Sequence, residues 1–145
     1  MAEIRRAPIA RQSTEFRIAV MRLSRQIRLQ RAETELSTSQ FATLRWVAVD
    51  GPLTPGRLAE LEQVTPPSMN RTVNCLADAG LVTREADPAD GRRVLVRATE
   101  SGTAIVDETL RRREAWLAQR YAGLSPAERD VLERATEIMR KLADR

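Results

Sequence analysis

The sequence predicts a mainly α-helical chain carrying one small β-hairpin, and three observations carry that prediction. Apolar residues recur at spacings of three and four along most of the 145 residues, the mark of helices with one apolar stripe. The period changes between Leu81 and Ala98, where two short extended stretches flank a Pro-, Asp- and Gly-containing turn. Start signals at Thr54-Pro55, Thr65-Pro66 and Ser125-Pro126-Ala127-Glu128 open helices at defined points. A chain of this length buries a core as one domain without metals or disulfides.

Taken in order, residues 1–12 mix Arg5, Arg6, Pro8 and Ala10 without an apolar face and are expected to form an arm. Phe16, Val20, Leu23 and Ile27 then make a stripe on an arginine-rich helix running to about Arg31, closed by the polar stretch from Glu33 to Ser39. A second helix starts behind Thr38 or Ser39, buries Phe41, Leu44 and Val47, and stops at Asp50-Gly51-Pro52. After an extended piece at Leu53, Thr54 caps a short helix with Pro55 at its first position and Leu58, Ala59 and Leu61 on its apolar side. Thr65-Pro66 opens the next, with Met69, Val73 and Leu76 facing inward and Gly80 closing it.

Leu81 to Glu85 and Val94 to Ala98 read as strands of a hairpin with a charged tip. Thr99 caps a long helix through Ile105, Val106, Leu110, Trp116 and Leu117, broken from Tyr121 to Leu124. Ser125 and Glu128 form a capping box for the last helix, whose stripe is Leu132, Ala135, Met139 and Leu142.

Composition excludes more than it assigns. The chain has no histidine, which removes the commonest general base, proton shuttle and metal ligand. It has no glycine-rich phosphate loop and no metal-ligand spacing, and carboxylates such as Glu60 and Glu62 sit in ordinary surface settings. An enzyme is therefore not expected, nor any cofactor. Cys75 is the single cysteine, so no internal disulfide can form. No secretory signal and no membrane-length apolar run are found, and a cytoplasmic location is expected. The net charge is +4, almost wholly from arginine, with Lys141 the only lysine. That excess fits a polyanionic partner, and codon bias explains it equally well.

The central order of helix, extended piece, short helix, tight connection, helix and hairpin is that of a winged helix-turn-helix, whose second helix lies in the major groove while the hairpin reaches the flanking backbone or minor groove. With Met69, Val73 and Leu76 inward, the opposite face of the fourth helix carries Pro67, Asn70, Arg71, Asn74 and Asp78, with Ser68 at one edge. Arginine pairs bidentately with guanine and asparagine with adenine, and serine or first-turn amides hold phosphate. Asp78 repels phosphate and is left off this surface. A surface helix showing Arg and Asn to solvent is the plain alternative, and the hairpin that follows shifts the balance. Its tip holds Asp90, Arg92 and Arg93, where an arginine suits a narrow minor groove and the aspartate braces a guanidinium. The expected DNA-binding set is Ser68, Asn70, Arg71, Asn74, Asp90, Arg92 and Arg93.

The stretches Leu53-Thr54-Pro55-Gly56-x-Leu58-Ala59, Pro66-Pro67-Ser68-Met69-x-Arg71-x-Val73-x-x-Leu76, Gly80-Leu81-Val82, Asp87-Pro88-x-Asp90-x-Arg92 and Thr99-x-x-Gly102 resemble the MarR family of bacterial regulators. The motifs span about Ser39 to Gly102, and the flanking helices match by position and pattern. The resemblance implies a dimer in which the first, fifth and sixth helices interlock, a palindromic operator, and repression relieved by a small molecule or oxidant. The chain departs from the family at Cys75, at Asp78-Ala79 and at Gly91, positions where basic residues are common. Two readings stay open at Cys75: a small residue that removes one phosphate contact, or a thiol that Arg71 activates and Asp78 opposes. Gly91 is expected to loosen the wing tip, leaving Arg92 and Arg93 to share its role.

The chain therefore reads as a single domain over residues 1–145, with residues 36–102 the winged helix-turn-helix part and residues 12–34 and 103–145 a helical dimerisation part. The outer stripes are longer than a winged helix of ~65 residues needs and suit a homodimer, against the alternative of an ordinary intramolecular bundle. A two-fold dimer sets recognition helices roughly 34 to 36 Å apart, one turn of double-stranded DNA. Trp46 and Trp116 are candidates for binding a small aromatic or anionic effector, and core packing explains them more simply. The other function classes are a low-specificity architectural DNA binder and a protein-interaction module on a winged-helix scaffold.

Overall fold

The computed structural model describes residues 8–32 and 34–144. They form α1 (Ile9–Leu29), α2 (Thr38–Val49), α3 (Pro55–Glu62), α4 (Pro66–Asp78), β1 (Val82–Ala86), β2 (Val94–Ala98), α5 (Glu100–Ala122) and α6 (Pro126–Ala143). The mainly helical fold with a single antiparallel hairpin agrees with the prediction. The chain divides into two compact units, Arg31–Arg111 and the pair of segments Met1–Gln30 and Arg112–Arg145.

Several boundaries differ from the sequence reading, three of them with a clear local cause. Of the expected arm, residues 1–7 lie outside the described residues, and α1 already begins at Ile9 behind Pro8. Local polar bonds fix that start: Arg11 and Gln12 donate backbone N–H groups to the Pro8 carbonyl, Ser13 and Thr14 hydroxyls donate to the Ala10 carbonyl, and Arg11 pairs with Glu15. The α2 cap is Ser37, because Gln40 stands three residues on and closes a reciprocal box with bonds of 2.8 and 3.1 Å. β1 starts at Val82, since Leu81 still belongs to the end of α4: its N–H donates to Leu76 at 2.9 Å and that of Gly80 to Ala77 at 2.9 Å. Gly80 adopts φ +72°, so the two bonds form a Schellman motif.

Within Arg31–Arg111 the core gathers the predicted inward residues Phe41, Leu44, Val47, Leu58, Ala59, Met69, Val73 and Leu76, joined by Leu36, Leu81, Val82, Val96 and Val106. Leu61 is only half-buried. Leu53 bonds to β2 through a bridge to Val96, with N–H···O distances of 3.1 and 2.8 Å in the two directions. That bridge fastens the start of α3 to the hairpin.

Thr99 and Gly102 lock α5 beneath the end of α4. The Thr99 N–H donates to Leu81 at 3.0 Å, its hydroxyl to Gly80 at 2.8 Å, and its oxygen accepts from Gly102 at 3.1 Å. A Cβ on Gly102 would collide with the Leu81 carbonyl oxygen, so only glycine permits this approach. Further along, the fully buried hydroxyl of Thr109 accepts the Ala32 N–H at 3.1 Å, tying residue 32 to α5.

In the other unit, no described residue of α1 or α6 is buried within the chain. Phe16, Val20 and Leu23 of the α1 stripe are exposed, as are Met139 and Leu142 of the α6 stripe together with Val131 and Ile138.

Candidate nucleic-acid interface

The reading helix is placed by its two ends and by one buried face. Thr54 and Thr65 cap α3 and α4 by accepting the backbone N–H of Arg57 and Ser68, and each cap is followed by proline. The three-residue connection Gln63-Val64-Thr65 turns sharply because Gln63 takes φ 52°, in the left-handed region, and Val64 donates its N–H to Ala59 at 3.0 Å. Met69, Val73 and Leu76 anchor α4 on the core. Thr43 of α2 lies against it from below, its hydroxyl 3.8 Å from the Met69 sulfur.

This anchoring leaves Asn70, Arg71 and Asn74 together on the exposed side of α4, with Ser68 half-buried at its edge. Arg71 has no ion-pair partner among the described residues, so its guanidinium is available to a ligand. Cys75 is exposed and unpaired one turn after Arg71. Asp78 is exposed in the last turn, where its charge opposes an anion.

The hairpin runs antiparallel, with Val82 opposite Ala98, Arg84 opposite Val96 and Ala86 opposite Val94. Its tip is cross-tied. Asp87 donates its N–H to Arg93 at 2.9 Å and accepts the Ala89 N–H on its carboxylate at 2.8 Å. Asp90 accepts the Arg92 N–H at 3.1 Å and pairs with the Arg93 guanidinium at 3.6 Å. Gly91 adopts no positive φ. Asp90 thus shapes the turn and braces one arginine, while the Arg92 guanidinium has no ion-pair partner among the described residues and stands free at the tip.

The hairpin carries a further exposed cation that the sequence reading did not single out. The register puts Arg84 on the face of the hairpin that carries Val82 and Val96, both buried, while Glu85 is taken up on the other face by Arg97 at 3.1 Å. The alternation of Val82, Arg84 and Ala86 carried that signal.

The two tryptophans belong to different units, and each has a partner of its own. Trp46 donates its ring N–H to Glu62 at 2.6 Å, linking α2 to the last turn of α3, with the Arg45 guanidinium 5.5 Å from its ring centre. Trp116 lies under Arg120, 4.3 Å from guanidinium carbon to ring centre. Neither lines the cavity of about 550 Å³ bounded by Leu117, Tyr121 and Arg129 or that of about 540 Å³ at Arg31 to Glu35. Among the described residues no cluster of His, Cys, Asp and Glu could hold a metal ion, and no helix is long and apolar enough to cross a membrane.

Comparison with known proteins bears on this geometry. A sequence model of the MarR family matches residues 34–93. An HTH-type transcriptional regulator of Mycobacterium bovis is 46% identical over 135 residues, covering 93% of this chain and 94% of its own. NicR, an HTH-type transcriptional repressor of Pseudomonas putida, is 33% identical over 78 residues, 54% of this chain and 49% of its own. The solved structure of a MarR family protein from Bacillus stearothermophilus superposes with a TM-score of 0.81 at 24% identity, covering 94% of this chain and 96% of its own.

Proposed function

The chain belongs to the MarR family and is a transcriptional regulator, and from that premise we propose that it is a homodimeric repressor that binds a palindromic operator through α4 and the wing. The observation that carries the reading is that two guanidiniums have no ion-pair partner among the described residues: Arg71 at the centre of the exposed face of α4, and Arg92 at a wing tip whose shape is set by Asp87 and Asp90. In this reading Arg71 takes a guanine edge bidentately, Asn70 and Asn74 take neighbouring bases, and Ser68 holds a phosphate at the start of the helix. Arg92 enters the minor groove, and Arg84 adds positive charge along the hairpin. Asp90 serves by holding the tip.

The dimer is supported by the exposed stripes of α1 and α6, which a second copy would cover. Repression is supported by the name of the Pseudomonas putida relative. Release by a small aromatic or anionic effector rests on family membership, and the partnered state of Trp46 and Trp116 gives it no added support.

A gel-shift assay with duplex flanking the protein's own coding region tests the reading. Wild type is expected to bind it over random duplex by about 10³-fold or more, and to lose affinity steeply with salt. A ratio near one would instead favour the architectural binder, and unchanged affinity in both Arg71→Ala and Arg92→Ala would sink the groove and wing assignments.

A further inference from the structure

An open groove of about 470 Å³ lies between the first turn of α3 and the returning strand of the wing, bounded by Thr54, Gly56, Arg57, Glu60 and Arg93. We infer that this groove holds one backbone phosphate of the duplex that α4 reads, clamped between Arg57 and Arg93; the inference rests on the DNA-binding reading above. The two arginines come from separate elements, and the bridge between Leu53 and Val96 fixes those elements to each other just beside the groove. The clamp therefore lies in the same compact unit as α4 and the wing.

Each arginine now makes only an exposed ion pair, Arg57 with Glu60 at 2.9 Å and Arg93 with Asp90 at 3.6 Å. Pairs this open contribute little and are readily exchanged for a phosphate, which takes both guanidiniums at once. The Thr54 oxygen accepts the Arg57 backbone N–H at 3.1 Å and keeps its own hydrogen to donate. Position agrees with chemistry: in a helix-turn-helix the first helix crosses the sugar-phosphate backbone while the second fills the groove, and α3 is that first helix. Glu60 is the opposing charge in the groove, and it weakens the contact without abolishing it.

The experiment measures binding of a fluorescent 30-base-pair duplex of random sequence across a salt series, by wild type, Arg57→Ala, Arg93→Ala, the double variant and Glu60→Gln. Arg57→Ala is expected to bind about three- to tenfold more weakly at low salt, with the slope of log K against log salt reduced by about one. The loss should be smaller in the Arg93→Ala background, because both side chains grip one phosphate. Glu60→Gln is expected to bind about two- to threefold more tightly, with a smaller gain in the Arg57→Ala background. Equal melting temperatures for wild type and Arg57→Ala confirm that the fold is intact.

An unchanged slope in Arg57→Ala, or weaker binding by Glu60→Gln, overturns the clamp. Replacing chloride by inorganic phosphate at equal ionic strength should weaken duplex binding more in wild type than in Arg57→Ala, because free phosphate competes for the same clamp. An equal loss in both would mean that the groove takes no anion and would overturn it too. If wild type binds the duplex with a steep salt slope while Arg57→Ala is silent, the clamp alone fails; if wild type binds no duplex, the DNA-binding reading fails with it.

Discussion

Leu58 of α3 and Leu23 of α1 are both leucines on helices with one apolar side, yet Leu58 has no exposed surface and Leu23 keeps 49% of its own. The contrast extends to their whole surroundings. Residues 31–111 close a core from α2, α3, α4, the hairpin and the start of α5, with caps and glycines that fit at each junction. α1 and α6 carry equally regular stripes and bury no described residue within the chain. One region is complete in a single copy. The other leaves its stripes exposed, and in the proposed homodimer the second copy covers them.

The largest effect that tests this contrast is in the closed region. Leu58→Ala is expected to lower unfolding free energy by about 2–5 kcal/mol, from lost burial and an unfilled cavity, read by urea denaturation. A cost below about 1 kcal/mol would mean the core of the winged unit is not closed as described.

Leu23→Glu addresses the open region, placing a charge in the α1 stripe. It is expected to weaken self-association about a hundredfold or more, measured by sedimentation equilibrium, while far-ultraviolet circular dichroism stays near wild type. If association is unchanged, the stripe is not the dimer surface, and the contrast loses its explanation.

Smaller still is the effect of Ser125→Ala, which removes one half of the α6 capping box and should cost about 1 kcal/mol in thermal unfolding. The other half gives a pH signature. The Ser125 backbone N–H, and after it the Ser125 hydroxyl, hold the Glu128 carboxyl below its ordinary value. A lowered value in the folded state means that the contribution is full above the unfolded value and fades as pH falls through the folded one. The melting difference between wild type and Glu128→Ala should therefore be constant near neutrality and shrink progressively as pH falls below the ordinary carboxylate range. A difference that persists in stronger acid would show that the carboxylate is not the source.

The parts of the fold that were legible in the sequence are those decided by chemistry within a few residues. Thr54-Pro55, Thr65-Pro66 and Ser125 to Glu128 name their helices because cap, proline and acceptor act locally. The start of α1 was not legible by apolar period, because hydrogen bonds to Pro8 and Ala10 set it instead. Among Ser37, Thr38 and Ser39 every residue can cap, and only the reach of Gln40 decides. Thr99-x-x-Gly102 was recognisable as a motif, but its reason, the approach to Leu81, is visible only in the fold. In the interface, helical geometry placed Asn70, Arg71 and Asn74 on one face from sequence alone. The meeting of Arg57 with Arg93 depends on the bridge from Leu53 to β2, which no local pattern announces.

The central claim is that α4 reads bases from two copies held in a two-fold pair. Selection from a pool of random duplexes, run in parallel with wild type and Arg71→Ala, measures this most directly. The account predicts that wild type enriches two inverted half-sites with centres about 10 base pairs apart. It also predicts that Arg71→Ala loses preference at one base pair in each half-site, a change of about 1–3 kcal/mol there, while keeping the spacing. Enrichment of no motif, or of one that Arg71→Ala leaves untouched, would contradict it.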